Sequence, residues 1–336
     1  MTAISPAAVQ SSGSASARAG ANFALVKYWG KRDPVLNLPD VGSISITLDA
    51  LHTETRVRLD PALEADRFVL DGRADAPGAD RVVALLDRFR ALADSELYAR
   101  VESHNNFPTG AGLASSASGF AALVEAASAA WGLDLPAARR SELARLGSGS
   151  AARSIFGGFV EMARGERADG SDSVARVLAD GDHWPLEVVV AVSERGRKPV
   201  GSTDGMQLTA RTSPFYRAWV EHQQSDLDAA RSAILARDFE RLAAVSEASA
   251  LAMHGLAMSA RPGLLYWNGT TMECLHRVRA LRAAGQAVFF TVDAGPQVKA
   301  ICLPDSADAV AEALAELPGV TGILRSGLGP GAERIA

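Results

Sequence analysis

The sequence predicts an α+β fold built from two packed lobes. The chain has 336 residues, whereas a single hydrophobic core usually stops growing at about 250–300 residues. Runs with an alternating apolar period are mixed along the chain with longer runs whose apolar residues recur every three or four positions. Mixed strand and helix signals of this kind favour α+β layers over a doubly wound parallel sheet.

Strand signals occur in both halves of the chain. In residues 53–59, Thr53, Thr55 and Val57 alternate with charged side chains, as in a half-buried strand. The other predicted strands are 45–51, 97–103, 187–192, 287–292 and 320–324. The strongly β-prone run at 187–192 marks the expected boundary between the lobes.

Helical periodicity is clearest after a turn-like segment at 105–110. Six apolar residues then fall on one helical face. They are Leu113, Ala117, Phe120, Val124, Ala127 and Trp131. Further predicted helices are 80–93, 212–236, 238–257, 270–284 and 305–317, with a short one after residue 150. Residues 1–20 are rich in Ala and Ser and lack the apolar centre of a signal peptide, so we expect a disordered tail.

Composition excludes several classes of protein. The formal net charge is −5, which gives no support to binding of nucleic acid or of an anionic membrane. No apolar run approaches the roughly 18–20 residues that span a bilayer. The two cysteines, Cys274 and Cys302, suit a reducing compartment. We therefore expect a cytoplasmic protein.

A glycine- and serine-rich segment at 108–119 carries the first functional signal. Its small residues let the backbone approach an anion closely, and the helix that follows presents unpaired N–H groups and a positive dipole end. Ser115, Ser116 and Ser118 offer hydroxyl groups to phosphate, and one of them is a candidate Mg²⁺ ligand. The segment lacks the Gly-Lys-Ser/Thr ending of a Walker loop. The alternative is a tight turn before a closely packed small-residue helix.

Three further polar clusters are candidates for anion binding. They comprise Ser148, Ser150, Arg153 and Ser154; Lys27, Tyr28, Trp29, Lys31 and Arg32; and Arg195, Arg197 and Lys198. An arginine such as Arg153 can grip a carboxylate or phosphate with two parallel hydrogen bonds. The alternatives are a flexible loop with a surface arginine for the first cluster, solvated surface for the second, and a charged loop between a strand and a helix for the third.

Asp293 directly follows the apolar run at 287–292 and precedes Ala-Gly-Pro. A carboxylate at the end of a buried strand, beside a glycine that permits close approach, is well placed to act on a ligand. The alternative is an aspartate that caps the following turn. The histidines show no paired metal-ligand spacing and there is no Ser-His-Asp signature, so neither a structural zinc site nor a serine-hydrolase triad is supported.

Taken together, these segments resemble the mevalonate diphosphate decarboxylase family of the galactokinase–homoserine kinase–mevalonate kinase–phosphomevalonate kinase (GHMP kinase) superfamily. The matching stretches are 24–33, 105–119, 147–159, 200–208, 292–296 and 327–331. They occur in the family's order and span nearly the whole chain beyond the tail.

The resemblance implies a two-lobed GHMP-kinase-like fold, usually a homodimer, with the active site in a cleft between the lobes. Residues 21–190 then form an amino-terminal ATP-binding lobe and residues 191–336 a carboxy-terminal lobe. It also implies that Mg²⁺ and ATP phosphorylate the tertiary 3-hydroxyl group of mevalonate 5-diphosphate. Loss of that phosphate and of CO₂ then gives isopentenyl diphosphate.

The resemblance assigns roles to particular residues. Asp293 acts on the hydroxyl group, Arg153 holds the carboxylate, and Lys27 steadies Asp293 and the developing phosphoryl charge. The residues implied to contact the substrate are Tyr28, Lys31, Ser148, Ser150, Arg153 and Met206. Those implied to hold ATP are Pro108, Gly110, Gly112, Ala114, Ser115, Ser116 and Ser202, with Ser116 as the candidate metal ligand.

One departure from the family pattern bears on the substrate. Where the family commonly has an Asn-Ser pair, this chain has Val41 and Gly42, so two polar side chains are missing near the expected substrate pocket. The departure leaves the phosphorylation state of the substrate open, so a mevalonate 5-phosphate decarboxylase is one alternative. A mevalonate 3-kinase and, from another class, a non-catalytic ATP-binding scaffold are the others. Retention of Asp293, Lys27 and Arg153 favours decarboxylation.

Overall fold

The computed structural model describes residues 13–110, 112–194, 196 and 200–336. The strands are β1 (Ser14–Val26), β2 (Lys31–Asp33), β3 (Leu38–Pro39), β4 (Ser43–Leu59), β5 (Arg67–Leu70), β6 (Ala99–Asn105), β7 (Phe159–Met162), β8 (Ala175–Ala179), β9 (Glu187–Val192), β10 (Val288–Val292), β11 (Val298–Cys302), β12 (Gly322–Ser326) and β13 (Glu333–Ile335). The α-helices are α1 (Ala79–Ala93), α2 (Ser115–Ala130), α3 (Ala137–Gly147), α4 (Ala151–Ser154), α5 (Ser202–Thr212), α6 (Tyr216–Ala236), α7 (Phe239–Ser259), α8 (Gly269–Ala283) and α9 (Ala307–Ala315). The mixed α+β class predicted from the sequence is confirmed.

The first sheet has the strand order β13-β1-β4-β6-β5, with β7 paired to β4 and β8 to β7. Its central strand β4 joins the two extended segments predicted at 45–51 and 53–59 into one strand of 17 residues. Because side chains alternate between the two faces of β4, Val57 and Leu59 face a core to which α1 and α2 also contribute. Helix α2 consists mostly of small residues and is buried on nearly every side. These small side chains let it pack closely over β1 and β4.

The predicted disordered tail is wrong over residues 14–20, while residues 1–12 lie outside the described residues. Strand β1 starts at Ser14 and pairs with both β4 and β13. Ala17 and Ala19 are buried against the first-lobe core. Because its side chains are small, this segment shows no alternation of apolar and polar residues that would predict a strand. The same small side chains fit the narrow space beneath α2.

The second sheet has the order β10-β11-β9-β12, and all its pairs are antiparallel. Helices α8 and α9 cover one face. The other face joins residues of β1, β4, α6 and α7 in a continuous apolar core. The two lobes are therefore packed together through a shared core.

The chain crosses between the lobes twice. The boundary predicted at residue 190 falls inside β9, which belongs wholly to the second sheet. At the other end of the chain, β13 returns to pair with β1, and Leu328 bridges Leu48 of β4. The carboxy-terminal residues thus complete the first sheet.

Most predicted helices lie within a few residues of the observed ones, whereas neither α3 nor α5 was predicted from the sequence. The first turn of α5 contains Ser202, and Met206 is buried on its inner face. The basic cluster predicted at Arg195, Arg197 and Lys198 lies outside the described residues. Within the described ranges, no helix combines the length and the hydropathy that a membrane span requires.

Candidate active site

A cleft of about 1200 Å³ lies between the lobes and brings the predicted segments together. All the predicted site residues line it except Pro108. Those residues are Lys27, Tyr28, Lys31, Gly110, Gly112, Ala114, Ser115, Ser116, Ser148, Ser150, Arg153, Ser202, Met206 and Asp293. Residues that are 266 positions apart in sequence meet here, because β1 and β10 both end at this cleft.

Asp293 lies at the end of β10, at the floor of the cleft. Its Oδ1 accepts a hydrogen bond from Lys27 Nζ at 2.7 Å. The Lys27 side chain is 1% exposed and also donates to the carbonyl of Ala24 at 3.0 Å. On the other side, Nζ of Lys299 lies 3.3 Å from Oδ2 of Asp293. The carboxylate is thus held between two buried ammonium groups.

This arrangement keeps Asp293 ionised. Burial alone raises its pKa, but Lys27 and Lys299 together outweigh that effect and hold the pKa below its usual range. Burial lowers the pKa of Lys27 to about 8, against the opposing attraction of Asp293. The site therefore contains a carboxylate and a nearby ammonium group, and that ammonium loses its charge near physiological pH or slightly above it.

Arg153, in the short helix α4, is buried beneath the cleft. Its guanidinium donates to Ser45 Oγ at 2.9 Å, Ser43 Oγ at 2.6 Å and Asn22 Oδ1 at 3.0 Å. Burial lowers its pKa to about 10, although Asp293 favours the charged form. No described carboxylate forms an ion pair with it within 4 Å. A buried guanidinium whose direct partners are neutral is suited to an anionic ligand.

The segment before α2 forms a tight turn at the cleft. Gly110, Gly112 and Ala114 have φ values of +76°, +81° and +59°, in the region that favours glycine. A Cβ on Gly112 would lie 3.2 Å from Cα of Gly295, so the turn and the end of β10 approach closely. No side chain caps the first turn of α2, which leaves its N–H groups available to an anion.

The serines of this segment divide into two groups. Ser115 and Ser116 line the cleft, whereas Ser118 is buried and shares a hydrogen bond with Thr53 at 2.6 Å. Ser118 is therefore structural. Across the described part of the chain there is no group of three or more His, Cys, Asp and Glu residues that could hold a metal ion. Mg²⁺ commonly takes few protein ligands and several oxygens from phosphate and water, so a site at Ser116 beside bound phosphates fits this chain.

The opposite end of the cleft is lined by hydroxyl groups and cations. Lys31 Nζ donates to Asn37 Oδ1 at 2.6 Å and to Thr203 Oγ1 at 3.0 Å, and burial lowers its pKa to about 8. The hydroxyl group of Tyr28 is buried and has no hydrogen-bond partner among the described residues. A Cβ on Gly149 would lie 2.3 Å from that hydroxyl oxygen, so glycine is required beside it.

Sequence reasoning missed Lys299, Asn22, Arg81 and Thr203 as parts of this site. Lys299 is one lysine within the apolar strand β11 and is fully buried. A lone cation in such a strand was the available signal, because a lysine is almost never buried without a partner. Arg81 lines the cleft from α1 and donates to the carbonyl of Gly147 at 3.1 Å.

The departure at Val41 and Gly42 lies away from the cleft lining. Val41 is buried in an apolar cluster with Trp29 and Trp219. Gly42 packs on Leu227, and its carbonyl accepts a hydrogen bond from Gln223 at 3.1 Å. The two residues therefore support the wall behind the site and do not leave a gap in it.

Comparison with known proteins gives a consistent result over nearly the whole chain. Residues 19–175 match a diphosphomevalonate decarboxylase-like N-terminal domain, and residues 188–322 match a mevalonate 5-diphosphate decarboxylase C-terminal domain. The diphosphomevalonate decarboxylase of Candida albicans is 36% identical over 95% of this chain and 97% of its own length.

Two solved structures extend the comparison to the fold. The crystal structure of mevalonate diphosphate decarboxylase from Staphylococcus aureus has a TM-score of 0.91 and 37% identity, and covers 97% of this chain and 98% of that one. A structure described as "MDDEF in complex with MVAPP, AMPPCP and Magnesium" has a TM-score of 0.89 and 40% identity. The match covers 96% of this chain and 99% of that one.

Proposed function

The chain belongs to the diphosphomevalonate decarboxylase family, and we propose that it converts mevalonate 5-diphosphate and ATP to isopentenyl diphosphate, ADP, phosphate and CO₂. One observation carries the proposal. The carboxylate of Asp293 is held between Lys27 and Lys299, beside the glycine turn at Gly112 and in the field of the buried Arg153. The related protein in complex with MVAPP, AMPPCP and magnesium supports the choice of substrate, nucleotide and metal.

ATP is proposed to bind with its phosphates at the turn before α2. The backbone N–H groups of the first turn and the hydroxyl groups of Ser115 and Ser116 supply donors there. Gly110, Gly112 and Ala114 shape the turn, Pro108 precedes it, and Ser202, at the start of α5, lines the same cleft. Mg²⁺, with Ser116 as its proposed protein ligand, would neutralise phosphate charge.

The substrate is proposed to bind across the floor of the cleft. Its carboxylate lies at Arg153, whose fork geometry suits bidentate contact. Its diphosphate lies toward Lys31 and the hydroxyl groups of Tyr28, Ser148 and Ser150. Met206, which is 5% exposed, offers an apolar wall to the carbon chain. This orientation points the 3-hydroxyl group toward Asp293.

In the first step, Asp293 orients the 3-hydroxyl group for attack on the terminal phosphoryl group of ATP. A carboxylate with a lowered pKa is a weak base, so it accepts the hydroxyl proton late in the transfer. This timing suits a loose phosphoryl transition state, in which the bond between the attacking hydroxyl oxygen and phosphorus is only slightly formed. Lys27 holds Oδ1 of Asp293 and faces the phosphoryl oxygens with positive charge.

In the second step, the C3–O bond breaks and the phosphate leaves with the electron pair of that bond. The electron pair of the C1–C2 bond forms the C2=C3 double bond, and C1 departs as CO₂. Arg153 holds the carboxylate in line with this elimination. Its low exposure of 2% keeps water away from a reaction in which positive charge develops at C3.

A comparison of three substrates tests this function. ADP and CO₂ are measured in parallel with mevalonate, mevalonate 5-phosphate and mevalonate 5-diphosphate, each with Mg²⁺ and ATP. The proposal expects equal amounts of ADP and CO₂ and the highest kcat/KM with the diphosphate. ADP without CO₂ would identify a 3-kinase, and a higher kcat/KM with the monophosphate would identify a monophosphate decarboxylase. Absence of turnover with all three would indicate a scaffold.

We further propose that the protein is a cytoplasmic homodimer. The family resemblance supports the dimer. The cytoplasmic assignment is supported by the two buried cysteines, Cys274 and Cys302, which are both free thiols. Light scattering on the purified chain tests the dimer, and fractionation of the source cells tests the location.

A further inference from the structure

Lys299 is a buried cation with more contacts than the proposed mechanism uses. It lies in β11, directly opposite Thr291 of β10, and its side chain is 0% exposed. Its Nζ donates to the carbonyl of Gly112 at 2.8 Å and lies 3.3 Å from Oδ2 of Asp293. The ring of Phe23 covers it at 4.9 Å. One ammonium group therefore touches both the glycine turn and the catalytic carboxylate.

The charges around Asp293 show that Lys299 is not needed merely to neutralise it. Lys27 already forms a 2.7 Å ion pair with that carboxylate, and Arg153 adds a third buried positive charge. His254, in α7 behind the site, is buried, and burial lowers its pKa to about 3, so it adds no charge at neutral pH. Three cations thus surround one anion. A buried surplus of positive charge is costly without an anionic ligand.

The contact with Lys299 also fixes the direction in which the Gly112 carbonyl group points. A carbonyl oxygen that pointed into an anion site would repel phosphate, whereas this one is drawn toward Lys299. Gly112 has a φ of +81° and approaches Gly295 too closely to carry a side chain easily. The turn is therefore set in place by one backbone conformation and one hydrogen bond to a buried cation.

We propose that Lys299 is a positioning residue that ties the ATP-phosphate turn to Asp293, so that nucleotide binding and orientation of the 3-hydroxyl group depend on the same buried cation. The inference rests on the proposed function. Loss of Lys299 leaves the Gly112 carbonyl without its donor and lets Asp293 turn both oxygens toward Lys27. Both the affinity for ATP and the rate of phosphoryl transfer should then fall together.

Two substitutions separate the two contacts. Lys299→Met removes both, while Lys299→Gln keeps a donor for the Gly112 carbonyl and removes the charge. For Lys299→Met we expect kcat for ADP formation to fall about 10- to 100-fold, as for the loss of a hydrogen bond to a charged group. We also expect KM for ATP to rise and KM for mevalonate 5-diphosphate to stay within about twofold. In Lys299→Gln the KM for ATP should recover while kcat stays low.

The pH profile gives a readout that a merely structural residue would not move. The charged groups that face Asp293 are Lys27, Lys299 and Arg153, and His254 faces it as a neutral group. Removing Lys299 leaves fewer cations to hold the pKa of Asp293 down. That pKa rises, so the acid limb of kcat/KM, which reports the free enzyme, should move to higher pH in both variants.

Arg231→Met is the matched control, because Arg231 pairs with the buried Glu161 at 2.7 Å outside the cleft. This variant should lose thermal stability but keep the wild-type acid limb and KM for ATP. The wild-type rate with mevalonate 5-diphosphate tests the proposed function separately. The role of Lys299 is supported if both Lys299 variants move the acid limb and only the Met variant raises KM for ATP. It is overturned if both variants behave like the control.

Discussion

Replacement of Arg153 by leucine probes the proposed carboxylate site most sharply. The guanidinium group is 2% exposed and donates to three neutral oxygens, on Ser43, Ser45 and Asn22. Its removal leaves these oxygens without a donor, at a cost of about 1–3 kcal/mol for a buried unsatisfied group. It also removes a buried positive charge that lies close to two others. These effects oppose each other, so we expect the free energy of unfolding to change by less than about 3 kcal/mol.

The effect on catalysis should be much larger than the effect on folding. A hydrogen bond between charged partners contributes roughly 1.5–3 kcal/mol, which corresponds to about 10- to 150-fold in rate. Since Arg153 is proposed to grip the carboxylate in both steps, ADP and CO₂ formation should fall together by about a hundredfold. The phosphate turn is formed by other residues, so the Kd for ATP should stay within about twofold.

The assay compares the variant with the wild type and with Arg140→Leu. Arg140 pairs with the buried Glu125 outside the cleft, so that control loses an ion pair without touching the site. ATP affinity is measured by calorimetry, folding by thermal unfolding, and ADP and CO₂ on the same reaction samples. Unaltered turnover in Arg153→Leu would refute the carboxylate role, and a loss equal to that of Arg140→Leu would reduce it to a structural one.

Three further predictions use other parts of the site. Chelation of divalent metal should abolish ADP formation, because the serines of the turn cannot neutralise phosphate charge alone; undiminished CO₂ release in chelator would contradict this. Lys31→Met should raise KM for mevalonate 5-diphosphate more than KM for the 5-phosphate, since Lys31 faces the proposed diphosphate end; equal changes in the two KM values would disprove that placement. The pKa of Lys27 is about 8, so its charge is present below that pH and lost above it. The value of kcat/KM, which reports ionisations of the free enzyme, should therefore decline above about pH 8, and a flat profile to about pH 9.5 would count against a role for the Lys27 cation.

The pattern of apolar and polar residues was sufficient to predict the helices and strands whose apolar residues recur at a regular spacing. The apolar residues of helix α2 recur at helical spacing, and β10 is a fully buried run that ends just before Asp293. In both cases the residue pattern and the observed packing agree. The glycine-serine turn before α2 was also predictable, because positive φ values restrict the residues that it accepts.

The missed features depend on contacts between distant segments. Ala17 and Ala19 carry no strand signal, and β1 is formed by its pairing with β4 and β13. The contact of Lys299 with the site exists only because folding brings β11 beside the turn at Gly112, which is 187 positions away in sequence. The substitution at Val41 looked like a loss of polarity at the site, but burial against Trp29 places it behind the wall. Sequence alone does not specify which of these partners meet.

The measurement that tests the central claim most directly is parallel detection of ADP and CO₂ with Asp293→Asn. Asparagine keeps the size of the side chain and its local hydrogen bonding, but it removes the negative charge and the basicity. If Asp293 acts on the 3-hydroxyl group, the variant should fold and bind ATP while both products fall together by roughly 10²–10⁴, because the leaving phosphate must form before CO₂ can be lost. Near-normal rates of both products would contradict a catalytic role for Asp293, and sustained ADP formation without CO₂ would move its role to the second step.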